Sequence, residues 1–358
     1  MNGVCPYFTM FPLPFPYRRL RNEATTVRVL DPFCGRGTTN FAARLLGLES
    51  VGLDSNPVAA AVAQSKLIKV AAEDVRQACR AALADGEPGN PPQSDFWSLC
   101  YDAKTLREVC SVRNHLLATR RPTKAQVALR AIVLGILHGP LRKGAPTYLS
   151  NQMPRTYSTK PGSAVGFWRK RGMGPAYVGV LDAVKRRSEY LLKKVPTRAK
   201  GLVRLADSRK PSSYEGLGTF DLILTSPPYL GMRTYWPDQW LRNWFLGGPS
   251  SVEYAREDQI TTQDQTKFTS DLADVWRESA KVCRPGARLV ARFGALPSYS
   301  ADPRTLFKES LHQANSGWVV QTITGAGAAP EGKRQADQFG AGETESIAEI
   351  DVHCRLEN

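Results

Sequence analysis

The chain is poor in the features that mark several large protein classes. No run approaches the roughly 18 consecutive apolar residues of a membrane-spanning helix. The start, Met1-Asn2-Gly3-Val4-Cys5-Pro6, lacks the basic stretch and apolar core of a secretory signal. These absences make a cytoplasmic protein, free of membrane, the expectation. Seven cysteines (Cys5, Cys34, Cys79, Cys100, Cys110, Cys283 and Cys354) are scattered without a Cys-x-x-Cys pair. That spacing argues against a zinc site and, in the inferred compartment, against disulfides, so each reads as a small buried thiol and no metal is expected. Only four histidines occur, and none has neighbours arranged for metal or triad chemistry; His138, after an apolar helix, reads as a structural cap. Internal repeats and low-complexity segments are also missing. Acidic residues are the scarcer charge: 33 Asp and Glu face 48 Lys and Arg, for a formal net charge of +15. Such a balance suits a polyanionic partner, because neutralising phosphates releases counterions. Charge alone leaves DNA, RNA and acidic membrane open.

What is present reads as an interrupted α/β rhythm on 358 residues, enough for one large or two ordinary domains. The opening Tyr7 to Tyr17, rich in Pro and aromatics, favours an extended packed segment over a helix. Thr26 to Leu30 is a β-branched run ending at Asp31 and reads as a strand. A tight turn from Gly35 to Thr39 leads into a helix at Asn40 to Leu48. A second strand, Ser50 to Leu53, ends at Asp54, and Asn56-Pro57 opens a helix through about Ala72. The stretch Asp85 to Pro92, with its Gly and Pro, is the best boundary. From Ser94 to Lys200 helical patterns dominate, among them Ala125 to Leu137. The α/β rhythm then resumes with strands at 201–206, 220–225, 287–293, 318–323 and 349–354, and helices at 272–282 and 303–314. The expected organisation is therefore an N-terminal α/β part over 1–93, a helical basic insert over 94–200 and a C-terminal α/β part over 201–358.

Two motifs carry chemistry. In the first, Asp31-Pro32-Phe33-Cys34-Gly35-Arg36-Gly37-Thr38-Thr39, a strand runs through a glycine turn into a helix. This places backbone N–H groups and a helix N-terminus at a crevice outside the sheet. Asp54 ends the next strand about 20 residues on, where an acid can bind ribose hydroxyls. Asn40 stands where the dinucleotide fingerprint has its third glycine, which counts against a nicotinamide cofactor. The second motif, Ser226-Pro227-Pro228-Tyr229, ends the apolar run Phe220 to Thr225. It offers a hydroxyl, carbonyls in a stiff frame without N–H donors, and an aromatic ring. Those groups suit holding a flat base by its exocyclic amine, with Tyr229 stacking on an extruded base.

Together the two motifs resemble the amino-methylating DNA methyltransferases, and the Ser form of the tetrapeptide looks like the N4-cytosine branch. The resemblance covers the two α/β portions and reaches the insert only by position. It implies a doubly wound, mostly parallel, Rossmann-like S-adenosylmethionine methyltransferase sheet with a helical basic insertion. It also implies S-adenosylmethionine as cofactor, held by Asp31, Phe33, Gly35, Gly37, Thr38, Asp54, Ser55 and Asp207, with Asp31 and the glycines near the methionine part, Asp54 on the ribose and Asp207 near the adenine amine. Phe11, Pro14 and Phe15 would belong to a segment closing over the methionine. Ser226, Pro227, Pro228 and Tyr229 would be the catalytic loop, acting by base flipping and direct transfer without a covalent intermediate. No Pro-Cys dipeptide supplies the thiolate that methylation of cytosine C5 needs. Adenine-N6 methylation of DNA, RNA base methylation and a catalytically dead DNA-binding module are the rival readings; the intact motifs argue against the last.

The order of cofactor motif, insert and catalytic motif resembles enzymes whose target-recognition region lies between the two. The insert carries the densest basic run, with aromatics interleaved. Arg142, Lys143, Arg155, Arg169, Lys170 and Arg171 are the expected contacts to double-stranded DNA, with Asn151 as a base-contacting type and Arg233 in the loop after the tetrapeptide. A companion restriction endonuclease is the partner such a setting implies.

Overall fold

Three short, largely apolar strands at 28–31, 49–54 and 220–225 form the middle of the sheet, and an aspartate closes each of the first two. The computed structural model describes residues 2–5, 12–139, 148–153, 160–193, 200–232, 237–253, 260–296, 301–326 and 349–357. In chain order the elements are α1 (Pro14–Leu20), β1 (Arg28–Asp31), α2 (Thr38–Leu45), β2 (Glu49–Asp54), α3 (Pro57–Ser65), α4 (Ala72–Asp85), α5 (Asp95–Cys100), α6 (Ala103–Ala118), α7 (Lys124–Ile136), α8 (Pro161–Lys170) and α9 (Val180–Leu192). They continue with β3 (Lys200–Leu205), β4 (Phe220–Thr225), α10 (Trp240–Phe245), α11 (Gln265–Lys281), β5 (Cys283–Gly294), α12 (Pro303–Ala314), β6 (Trp318–Gly325) and β7 (Glu349–Leu356). The chain divides into two compact units. An α/β unit comprises 8–67, 197–234 and 256–358, and a helical unit comprises 1–7, 68–196 and 235–255.

In the α/β unit seven strands form one sheet in the order β3-β2-β1-β4-β5-β7-β6. Strands β1 to β5 pair in parallel, and β7 inserts antiparallel between β5 and β6. This is a Rossmann-like, doubly wound, mostly parallel sheet, as the sequence leads one to expect. Alternation along the strands fills both faces. Val29, Leu222, Leu224 and Val290 pack with Phe15, Leu20, Ala42 and Ala43 from α1 and α2. Leu30, Ile223, Leu289 and Ala291 point the other way, onto Phe268, Leu272, Trp276, Leu306 and Phe307 from α11 and α12. Helix starts follow local chemistry. The Asn56 side chain accepts from the Val58 and Ala59 N–H groups with Pro57 at the first turn of α3, and Asp264 and Asp302 cap α11 and α12.

Several element expectations need correction. The segment before β1 is not extended throughout: Pro14 and Pro16 both fall in the first turn of α1, where a missing N–H costs nothing. The helix opened by Pro57 stops at Ser65 instead of about Ala72. The chain turns at Lys66, whose carbonyl accepts from Arg44 at 2.6 Å, and a separate helix starts at Ala72. Helix α11 begins at Gln265, seven residues before the first apolar contact suggests, because Asp264 supplies its cap. Strand β5 begins already at Cys283, and a register shift between Phe220 and Leu222 absorbs Pro285-Gly286.

The helical unit starts at Ile68, ahead of the Pro- and Gly-rich stretch at 85–92, because α4 packs on α6, α7 and α9. Its centre is aromatic: Trp97 stacks on Tyr101 with ring centroids 6.1 Å apart and lies 4.6 Å from Trp244, while Phe96 meets Trp168 and Trp240. Helix α10 lies in this unit, so a short piece beyond the tetrapeptide belongs with the insert. Among the described residues no helix is long and apolar enough to cross a membrane.

Candidate active site

The switch point of the sheet lies between β1 and β4, where the chain has wound outward to β3 on one side and continues to β5 on the other. Open α/β sheets bind ligands outside the carboxyl ends of the strands at such a point. Asp31 ends β1 and Thr225 ends β4, and Val29 and Leu30 pair with Leu222 and Ile223. The two motif loops therefore leave the same edge side by side. A hydrogen bond joins them directly: the Thr225 hydroxyl donates to Asp31 Oδ1 at 2.6 Å, with both residues fully buried.

Asp31 Oδ1 also accepts from the Phe33 N–H at 3.2 Å, whereas its Oδ2 is buried without a hydrogen-bond partner. Burial pushes the carboxyl up to about 6; hydrogen bonds from Thr225, Thr39 and Phe33 pull the other way, and nearby Asp54 adds to the rise. An orphan carboxylate oxygen of this kind suits a cationic ligand group. Cys34 N–H donates to the Leu53 carbonyl at 2.9 Å, and Gly37 N–H to the Cys34 carbonyl at 2.7 Å, which closes the turn. Gly37 sits at φ +75, and a Cβ there would lie 2.8 Å from the Ala63 Cβ, so only glycine lets α3 approach. At Gly35, φ +50, a Cβ would meet nothing within 4 Å, so that side of the turn is open.

Asp54 ends β2 and ties the strand to the glycine turn and to the start of α3. Its Oδ2 accepts from the Gly35 N–H and its Oδ1 from the Asn56 N–H, each at 2.8 Å. Burial pushes this carboxyl, too, up to about 6. Each oxygen keeps a lone pair, and Asp54 and Ser55 are half-buried at the crevice rim. Thr38 opens α2, buried, and Phe33 is half-buried edge-on to Trp276 at 6.1 Å. Asn40, in place of a third glycine, donates to the Ser50 hydroxyl at 3.2 Å and so braces α2 on β2.

The tetrapeptide forms a one-residue bulge. Thr225 pairs with Ala291, and pairing resumes at Leu230 with Ala295, so five steps on one strand oppose four on the other. The turn that follows is tied by Gly231 N–H to the Thr262 carbonyl at 2.7 Å. Ser226 and Pro228 are half-buried at the crevice edge and Pro227 is buried. Tyr229 is placed differently from the expectation: its side chain is 1% exposed, lies edge-on to Phe293 at 6.2 Å, and donates its hydroxyl to Glu349 Oε1 at 3.0 Å. Burial, then Glu349, pushes the phenol well up. With its face in the core, the ring anchors the loop and presents no stacking surface.

Asp207 follows β3, but its carboxylate is gripped by Arg209, whose Nε and Nη2 donate to it at 3.0 and 2.9 Å. Burial opposes ionisation there, yet these bonds and the Arg209 N–H hold the carboxyl below its ordinary range. Arg209 reaches on to Asp271 at 2.9 Å. Pro14 is exposed at the start of α1, while Phe15 lies in the core between the Arg19 and Arg292 guanidiniums, 5.5 and 4.1 Å from its ring centre. Packed on Val29, Leu222, Leu224 and Val290, the Phe15 ring does not cap the crevice; Phe11 lies outside the described residues.

In the helical unit Asn151 is not free to read a base: its amide donates to the Leu99 and Met173 carbonyls at 3.1 and 3.4 Å. Arg169 pairs with Asp95 at 2.6 Å, Arg171 lies 4.0 Å from the Phe167 ring centre, and Lys170 is exposed beside them. Arg142, Lys143, Arg155 and Arg233 lie outside the described residues. His138 is buried, pushed down to about 3 by burial and by Arg242, and shares a 3.2 Å hydrogen bond with Ser150. All seven cysteines are free thiols.

No family model and no curated protein matches the chain. Among solved structures it is similar to the rRNA methyltransferase aviRa from Streptomyces viridochromogenes, at 12% identity over 99% of this chain and 90% of that one, with a TM-score of 0.37. TrmN from Thermus thermophilus aligns at 10% identity over 95% of this chain and 47% of its own, TM-score 0.33. Magnesium protoporphyrin IX methyltransferase from Synechocystis PCC 6803, solved with bound SAM, aligns at 7% identity over 96% and 76%, TM-score 0.36. The likeness is a distant one.

Two residues at this edge escape a reading based on motifs. Thr225 and Glu349 carry no motif of their own, but each has a positional signal. Thr225 is a hydroxyl on the last residue of a central strand, directly before Ser226. Glu349 opens a strand whose antiparallel register sets it opposite Gly294, at the same edge of the sheet.

Proposed function

We propose that this protein is an S-adenosylmethionine-dependent methyltransferase acting on an exocyclic amine of a nucleic-acid base. The Ser-Pro-Pro-Tyr form favours cytosine N4 in duplex DNA as the target. The observation that carries the reading is the 2.6 Å bond from Thr225 to Asp31, which makes the cofactor turn and the tetrapeptide loop walls of one crevice. The residues fit the cofactor. The buried, unpartnered Asp31 Oδ2 suits the ammonium of its methionine end, the open side of Gly35 admits a close backbone approach, and half-buried Asp54 and Ser55 suit ribose hydroxyls. Bound there, the cofactor supplies an electrophilic methyl group on a sulfonium.

The chain's own part is positioning and electrostatics. An exocyclic amine is a weak nucleophile because its lone pair is delocalised into the ring. Carbonyls framed by Pro227 and Pro228, together with the Ser226 hydroxyl, accept from the amine hydrogens and turn the lone pair toward the methyl. Tyr229, held by Glu349, keeps that loop in place from below. The exposed Lys170 and Arg171 supply part of the phosphate affinity that extruding a base requires. A companion endonuclease and a cytoplasmic setting belong to the same reading.

The test is incubation with methyl-labelled cofactor and either duplex DNA or RNA, followed by digestion to nucleosides. Label in N4-methylcytosine is expected. Label in N6-methyladenine would replace the base, label confined to RNA would replace the nucleic acid, and absence of cofactor binding by calorimetry would end the reading. Ser226→Ala is expected to cut turnover about a hundredfold with the fold intact.

A further inference from the structure

The Thr225 hydroxyl joins the end of β4 to the end of β1 side chain to side chain, donating to Asp31 at 2.6 Å. Thr225 is not part of the tetrapeptide, and its hydroxyl, fully buried, points away from solvent. Asp31 is in an unfavourable setting for a charge. Its flanking groups are Asp54 at the end of β2, whose charge disfavours ionisation, the Cys34 thiol in the turn, the Thr39 hydroxyl from α2, the Phe33 N–H, and Thr225 from β4. The buried cations nearby are Arg36 in the turn, Arg44 on α2, which donates to the Lys66 carbonyl, and Lys66 after α3, which acts on the neighbouring Cys34. Without hydrogen-bond donors Asp31 would stay protonated near neutral pH and lose its attraction for an ammonium group.

The geometry points to Thr225 as a positioning residue for the cofactor, the strand-end hydroxyl that keeps Asp31 ionised and turns its free oxygen into the crevice. This rests on the cofactor reading above. The Thr225 bond, at 2.6 Å, is shorter than the 3.2 Å bond from the Phe33 N–H, and a hydroxyl donating to a carboxylate is among the stronger hydrogen bonds. It fixes Oδ1, so Oδ2 is left in one orientation. Because Thr225 immediately precedes Ser226, the same residue that readies the cofactor site also anchors the start of the transfer loop.

The experiment uses S-adenosylhomocysteine, which binds without turnover, and calorimetry of the full chain between pH 5 and 8. For wild type, affinity should rise with pH through about 6, where the Asp31 and Asp54 carboxyls ionise. Thr225→Val should weaken binding about tenfold at pH 7 and move the rise upward by about one pH unit. Thr225→Ser, which keeps the hydroxyl, should follow wild type. Thr225→Ala, which leaves space instead of a methyl, should behave as Thr225→Val, and thermal melting establishes that each variant is folded. Wild type that binds with a Thr225→Val curve superimposed on it would overturn the inference and leave the cofactor reading standing. Wild type that does not bind would take both down.

Discussion

Asp31 and Asp54 are both pushed up to about 6 by burial, against an ordinary aspartate value near 3.9. A carboxyl whose folded value is raised is more protonated in the folded than in the unfolded chain between those two pH values. Stability therefore falls as pH rises from about 4 to 6, and above that window each charge costs on the order of 3 kcal/mol in the unliganded protein. A site that binds a cation holds this strain until the cation arrives. Asp31→Asn removes the charge and keeps the shape, with Thr225 able to turn its hydroxyl round to accept. The unliganded variant is expected to melt at or above wild type at pH 7.5, the advantage shrinking toward pH 4, while calorimetry finds its affinity for S-adenosylhomocysteine lost. Melting below wild type at pH 7.5 would mean that the carboxylate is structural. At this scale the motif residues were legible because a glycine turn between a strand and a helix constrains what its neighbours do. The Tyr229 side chain was not, since its direction depends on Phe293 and Glu349, distant in sequence and unmarked by any motif.

Elements were legible where a short apolar run ended in a residue that cannot continue it, as β1 and β2 end at Asp31 and Asp54 and β4 at the prolines. They were misjudged where a breaker sat in a place that tolerates it. Pro14 and Pro16 read as an extended segment yet open α1, and Pro285-Gly286 reads as a stop yet lies within β5. The α1 case bears on function, because a closing segment and a packed helix make opposite demands on the same aromatic. Phe15 is 2% exposed and packs on Val29, Leu222, Leu224 and Val290 beneath the sheet. Phe15→Ala is therefore expected to lower the unfolding free energy by about 3–5 kcal/mol in denaturant titration. Cofactor affinity, measured at a temperature where the variant is folded, should be unchanged. A large loss of affinity with little loss of stability would restore Phe15 to the cofactor.

For the whole molecule, the order of the chain foretold that a helical region interrupts the α/β sheet, but not where the interruption begins. Composition placed it at the Gly- and Pro-rich 85–92, whereas packing of α4 on α6, α7 and α9 moves it to Ile68. Composition also counts side chains without knowing which are already engaged. The Asn151 amide is spent on backbone carbonyls, while Arg169, in a surface pair with Asp95, stays exposed along with Lys170 and Arg171. These two kinds of residue predict different outcomes. If the net charge of +15 serves a nucleic acid through this unit, duplex affinity should fall linearly on a log–log plot against salt. Lys170→Ala with Arg171→Ala should flatten that slope by about one to two, because each removes a phosphate contact and its released counterion. Asn151→Ala should leave the slope alone and instead cost about 1–3 kcal/mol of stability, since it strands the Leu99 and Met173 carbonyls. Fluorescence anisotropy at four or five salt concentrations separates the two, and an unchanged slope in the double charge variant would mean that the nucleic acid meets the protein elsewhere.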